Sequence, residues 1–207
     1  MKTPSFRRAS GFTLVELLVV ISIIAVLASA GFAAGNAAIQ KAKKTTALAS
    51  CVAVESAVNN FFTEYGSMPV GTGTTDVTVK TDDKSLSGGQ GLLKVLLGLE
   101  AAADTAKLNT RLIKFLSVKE GKPNATNTSG KNGVIYNPAG TDVVGLYDPW
   151  GGGYSVRMDL DYDEKVTVQP TGGSSKILNR RCAVWSAGAD GVSGGGKSTD
   201  DVLTWTP

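Results

Sequence analysis

With 207 residues and 42% hydrophobic content, the chain has room for one domain with accessory segments. Its 21 basic residues exceed its 18 acidic ones by three, and Lys2, Arg7 and Arg8, all ahead of the first apolar run, account for that excess. A remainder so balanced lacks the clustered basic surface that phosphate binding needs, which excludes nucleic acid as a partner. No histidine occurs, so Ser-His and Cys-His nucleophilic pairs and histidine metal sites are excluded, and the chain is not expected to be an enzyme.

From Phe12 to Ala34 the one charged residue is Glu16. At 1.5 Å per residue the run makes roughly 34 Å of helix, enough to cross a bilayer. A carboxylate at that depth costs about 2.5 to 3.5 kcal/mol and is usually paired or functional. No Lys or Arg lies within a helical turn of Glu16. A cut between Gly11 and Phe12 supplies the missing charge, because the new α-ammonium then lies one turn before the carboxylate; a neighbouring copy's ammonium serves equally.

The order Arg7-Arg8-Ala9-Ser10-Gly11, then Phe12-Thr13-Leu14-Val15-Glu16 and an apolar run, resembles the amino-terminal signal of type IV pilins and type II secretion pseudopilins. The resemblance implies that prepilin peptidase cuts after Gly11 and N-methylates Phe12, and that Glu16 helps dock each new subunit into a filament. It implies a single pass through the inner membrane, a periplasmic carboxy-terminal domain, and as partners membrane lipid, an assembly platform, and other copies and pseudopilins met through the helix. Two other readings exist: a secretory signal cut near Ala30 after Ala28-Ser29-Ala30, and a plain membrane anchor. Both leave Glu16 without a role. Orientation is not legible from charge, since Lys41, Lys43 and Lys44 balance the basic residues before the run.

The helical pattern continues beyond the apolar run. Cys51, Val54, Val58, Phe61, Phe62 and Tyr65 share one face, with Ser56, Asn59, Asn60 and Thr63 opposite, until Gly66 and Pro69 stop the helix. One helix from Phe12 to Tyr65 is therefore expected, apolar all round in its first half and half-buried in its second. Gly31 and Gly35 are spaced for close helix approach or simply weaken the helix. Residues 70–90 read as loop with one short strand, Val77 to Lys80. Apolar spacing predicts short helices at Leu92 to Ala103 and Leu108 to Leu116, and composition predicts a solvated loop over 119–133.

Asp148-Pro149-Trp150-Gly151 reads as a turn leading into a strand at Tyr154. Asp159, Asp161 and Asp163 resemble the start of an EF-hand loop, but Glu164 stands where glycine is needed and Pro170 where glutamate is needed. Met158, Leu160 and Tyr162 are therefore expected on one face and the acids in water. The segment 190–201 matches a phosphate-loop pattern at Gly191, Gly196, Lys197 and Ser198. No helix can start there, because a few turn-like residues end the chain, and Asp190, Asp200 and Asp201 outweigh Lys197. Cys51 and Cys182 are too few for a zinc site; they are open to pairing in an oxidising compartment or to lying as separate buried thiols.

The Asp-Pro-Trp-Gly turn, a following β segment, and Trp185-Ser186-Ala187-Gly188-Ala189-Asp190-Gly191 with Asp200-Asp201 and Trp205 are similar to the globular half of the major pseudopilin. In that family this terminal loop binds calcium. The likeness carries over Asp190, Asp200 and Asp201 as side-chain ligands, the Ala187 carbonyl as another, and Ser193 as a further one. Independently, carboxylates, a hydroxyl and carbonyls turned by glycine are the hard oxygen donors that Ca2+ takes. The expected fold is α+β and pilin-like: a long amino-terminal helix, membrane-embedded in its first half, on a small antiparallel sheet with a carboxy-terminal metal-binding loop. The expected divisions are a leader over 1–11, an assembly helix over 12–35, its amphipathic half over 36–69, a variable region over 70–146, and the sheet and calcium loop over 147–207. Besides pseudopilin, the readings kept are a type IV pilin or minor pilin, and a secreted calcium-dependent binding domain.

Overall fold

A computed structural model describes residues 11–101, 107–169, 175–193 and 200–205. The chain divides into two compact units, Met1–Lys41 and Ala42–Pro207. Helix α1 (Leu14–Tyr65) contributes to both. Within the first unit the side chains over 11–29 are all exposed, Leu14, Val15 and Ile21 among them. Water gives such a surface no reason to stay apolar on every side, whereas lipid does.

In the second unit α1 buries Ala47, Cys51, Val54, Ala57, Val58 and Phe61, while Ser56, Asn59, Asn60 and Thr63 are exposed. Full burial of a large apolar side chain is worth about 1.5 to 3 kcal/mol, so this stripe, rather than helix propensity, holds the segment in place. Gly66 ends the helix at φ 67°, donating its N–H to the Phe62 carbonyl at 2.8 Å. Any residue with a Cβ is strained in that conformation.

The remaining elements follow as β1 (Val77–Lys80), α2 (Gly89–Leu97), β2 (Lys122–Pro123), β3 (Gly130–Lys131), β4 (Gly133–Tyr136) and β5 (Val143–Tyr147). Then come β6 (Tyr154–Met158), β7 (Val166–Val168), β8 (Lys176–Leu178), β9 (Cys182–Ser186) and β10 (Val202–Leu203). The main sheet has the antiparallel order β1-β6-β9-β10, and β2-β3, β4-β5 and β7-β8 are separate antiparallel pairs. Strand β9 is buried along its whole length because both sheet faces are covered. Alternation sends Cys182 and Val184 into the core with α1, and Ala183 and Trp185 into a second cluster with Val166, Val168, Leu178 and Trp205.

The expected strand Val77–Lys80 and the strand after the Asp-Pro-Trp-Gly turn are present. Four expectations need correction. The first short helix is Gly89–Leu97, not Leu92 to Ala103; it stops at Gly98, φ 70°, and residues 102–106 lie outside the described ones. Leu108 to Leu116 is not a helix. Its amides close the end of α2 instead, Phe115 and Leu116 both donating to the Leu96 carbonyl at 2.9 Å. The buried Asn109 side chain donates to the Val95 and Ile113 carbonyls and accepts from Ile113 N–H and Tyr65 O–H. Apolar spacing alone does not reveal that competition for backbone partners. Last, Asp159 is buried rather than in water, and Tyr162 is exposed; the solvated loop over 119–133 also contains the β2-β3 hairpin.

Candidate functional site

Two places carry the expected chemistry. At the amino-terminal end, Thr13 caps α1. Its Oγ1 accepts the Glu16 N–H at 3.2 Å, and the Glu16 Oε2 accepts the Thr13 N–H at 3.0 Å and the Thr13 hydroxyl at 2.8 Å. This reciprocal arrangement is a capping box, satisfying amide donors that a helix start otherwise leaves bare. Glu16 thus has neutral partners on its own helix, which a search for a counter-charge alone does not find. The signal was legible: Thr-x-x-Glu ahead of an apolar run is the sequence form of that box. Hydrogen bonds to Thr13 orient the carboxylate, and no basic side chain among the described residues pairs with it. Gly11 and Phe12 precede the helix, exposed.

At the other end of the chain, the turn after β9 is organised by two carboxylates. Asp148, 1% exposed, accepts the N–H groups of Trp150, Gly151 and Gly152 on Oδ1 at 2.9, 2.7 and 2.9 Å. Its Oδ2 accepts the Ser186 hydroxyl at 2.6 Å, and Ser186 Oγ in turn accepts the Gly188 N–H at 3.1 Å. The Asp-Pro-Trp-Gly turn is thereby tied to the terminal loop through buried polar atoms. Asp200 closes that loop: its Oδ2 accepts the N–H groups of Ala189 and Asp190 at 2.9 and 3.1 Å. Gly188, at φ 68°, lies so close that a Cβ there would stand 2.3 Å from the Asp200 carbonyl oxygen. Only glycine fits.

Of the residues expected to hold calcium, Asp190 and Asp200 are brought together by these bonds, and Asp201 follows directly. The Asp190 Oδ1 accepts the Val192 N–H at 2.9 Å. Ser193 turns to Trp185, its Oγ accepting the indole N–H at 2.6 Å. Ala187 adjoins Gly188 at the start of the turn, half-buried. Lys197 and Ser198 lie outside the described residues. The donor chemistry suits a hard cation, and the Asp200 Oδ1 is buried with no hydrogen-bond partner among the described residues, a position that a cation would satisfy. Among the described residues, the group of three carboxylates with oxygens within 4.8 Å of one another is a different one, Asp76, Asp159 and Asp161.

Cys51 on α1 and Cys182 on β9 are free and buried in one core. Cys51 Sγ contacts the Val202 carbonyl at 3.9 Å. Burial pushes both thiols up from their ordinary range, which keeps them protonated and chemically quiet.

Comparison with known proteins adds one match. The family model described as the prokaryotic N-terminal methylation motif matches residues 6–32. No curated protein matches the chain, and no solved structure does. The match spans the expected cut position, Thr13, Glu16 and most of the apolar run, and supports a type IV pilin-like substrate of prepilin peptidase. Helix α1, which holds that run, is long and apolar enough to cross a membrane and fits a single-pass anchor.

Proposed function

We propose that the chain is a structural, non-catalytic pseudopilin of type II secretion, cut after Gly11, N-methylated on Phe12, held in the inner membrane and polymerised into a short periplasmic fibre. The observation that carries this is the methylation motif over 6–32, with Gly11, Phe12 and Glu16 in their places. Before the cut, Thr13 holds the carboxylate by hydrogen bonds, its partners among the described residues. After it, the Phe12 ammonium of the same or a neighbouring copy supplies the opposite charge, so a subunit is competent to pack only once its leader is gone. Amino-terminal mass spectrometry of the protein from membranes containing prepilin peptidase tests it. A mature chain starting at methylated Phe12 is the expected result. One starting near Gly31 is that of a secreted domain with a conventional signal, and one starting at Met1 removes the proposal.

A type IV pilin or minor pilin shares that start. The Asp-Pro-Trp-Gly turn joined through Asp148 and Ser186 to an acidic terminal loop favours the pseudopilin. In this reading the loop holds Ca2+ through Asp190, Asp200, Asp201 and the Ala187 carbonyl, with Ser193 as a further donor. Bound calcium supplies no chemistry beyond charge and order. Calcium at about a hundred times its dissociation constant stabilises the fold by about 2.7 kcal/mol, or roughly 5 to 10 °C in a chain of this size. Asp200→Ala is expected to remove most of that thermal shift. Retention of the full shift in the variant refutes the assigned ligand.

A further inference from the structure

We infer that Ser186 is a positioning residue of the terminal loop: held by Asp148, its hydroxyl aims the Ala187 carbonyl, which the calcium reading above makes a ligand. This role rests on that reading and adds to it the residue that sets the carbonyl's direction. A serine hydroxyl has one proton to donate and lone pairs to accept with. In Ser186, the last residue of β9, the proton goes to the Asp148 Oδ2 at 2.6 Å, on a carboxylate whose Oδ1 already takes the three turn amides. The lone pairs are left to the loop, where the Ser186 Oγ accepts the Gly188 N–H at 3.1 Å. Ser186 has no exposed surface and Asp148 almost none, so water does not compete for either bond.

The Gly188 N–H and the Ala187 C=O belong to one peptide unit. In a planar trans peptide the two point in opposite directions, so an N–H held by Ser186 turns the Ala187 carbonyl away from the buried chain of hydrogen bonds. Asp200 closes on the same unit. A Cβ on Gly188 would lie 2.3 Å from the Asp200 carbonyl oxygen and 3.0 Å from its Cγ, so the peptide stands directly against this residue. The Asp200 Oδ2 is occupied by the Ala189 and Asp190 N–H groups, and its buried Oδ1 has no hydrogen-bond partner among the described residues. A carboxylate oxygen that lacks a donor and a carbonyl whose orientation is fixed from behind are both hard oxygens of the kind calcium takes. Without the hydroxyl the Gly188 N–H loses its acceptor and the peptide can turn, so the carbonyl is still present but no longer aimed. Partners that orient a metal ligand account for about 10- to 100-fold in affinity.

Calorimetric titration of the full chain in detergent micelles with calcium, after treatment with a chelator, tests the role. Ser186→Ala is expected to bind as many calcium equivalents as the unaltered chain, about 10- to 100-fold more weakly. Asp148→Asn turns an amide donor toward the hydroxyl in place of the acceptor of its proton, and is expected to weaken binding in the same direction. Val184→Ala lowers the melting temperature from the core side of the same strand and is expected to keep the dissociation constant. If Ser186→Ala and Asp148→Asn both bind with the constant of the unaltered chain, or if Val184→Ala weakens binding as much as they do, Ser186 has no positioning role. If the unaltered chain binds no calcium, the calcium reading itself falls, and this role with it.

Discussion

Glu16→Gln is expected to leave cleavage after Gly11 intact and to abolish filament growth. The substitution separates two roles carried by one side chain. Glutamine keeps the length of glutamate, and its carbonyl oxygen still accepts from the Thr13 N–H and hydroxyl, so the capping box and the start of α1 survive. What it loses is charge. An uncompensated carboxylate in an apolar segment costs about 2.5 to 3.5 kcal/mol, and relief of that cost on meeting an ammonium is the driving force that subunit docking would use. Filament yield from membranes, read with the amino-terminal mass of the same sample, gives the answer. Normal filaments from a correctly cut Glu16→Gln variant reduce Glu16 to a helix cap.

Asp148→Ala is expected to be the most destabilising single change in the second unit. The carboxylate is 1% exposed and serves three backbone N–H groups and the Ser186 hydroxyl. Alanine removes the acceptor shared by the half-buried turn amides and the buried Ser186 hydroxyl, leaving Gly151 N–H only the residue-148 carbonyl at 3.2 Å, which costs about 3 to 5 kcal/mol and lowers the melting temperature by roughly 10 °C or more. Asp148→Asn keeps one oxygen for the turn amides but turns an amide donor toward the Ser186 hydroxyl, and is expected to lose about half as much. Circular dichroism melts of the full chain in detergent measure both. A melting temperature within about 2 °C of the unaltered chain for Asp148→Ala shows that the turn amides find other partners.

Where the pattern is local and repeats, the sequence was a sufficient guide. The apolar run, its lone acid and the buried stripe from Cys51 to Phe61 are all readable because a helix returns each side chain to the same face every three or four residues. The stop at Gly66 is readable too, since glycine alone adopts a positive φ without strain. Leu108 to Leu116 failed for the opposite reason: its spacing suits a helix, yet its amides are more valuable to the open end of α2. Asp148 was seen as part of a turn, but not as the group that joins that turn to Ser186, because the partner lies on another strand.

The processing and docking roles proposed for Gly11, Phe12 and Glu16 rest on residues close together in the chain, and the Thr13–Glu16 capping box needs no fold beyond one helical turn. The meeting of Asp76 with Asp159 and Asp161 was decided by the register of β1 against β6, and the burial of Asp159 by the loop that its own carboxylate closes. Period and composition tell which way a side chain faces along its own element. Which distant charges come within reach of one another is set only when strands pair, since the pairing, not the chain order, places them.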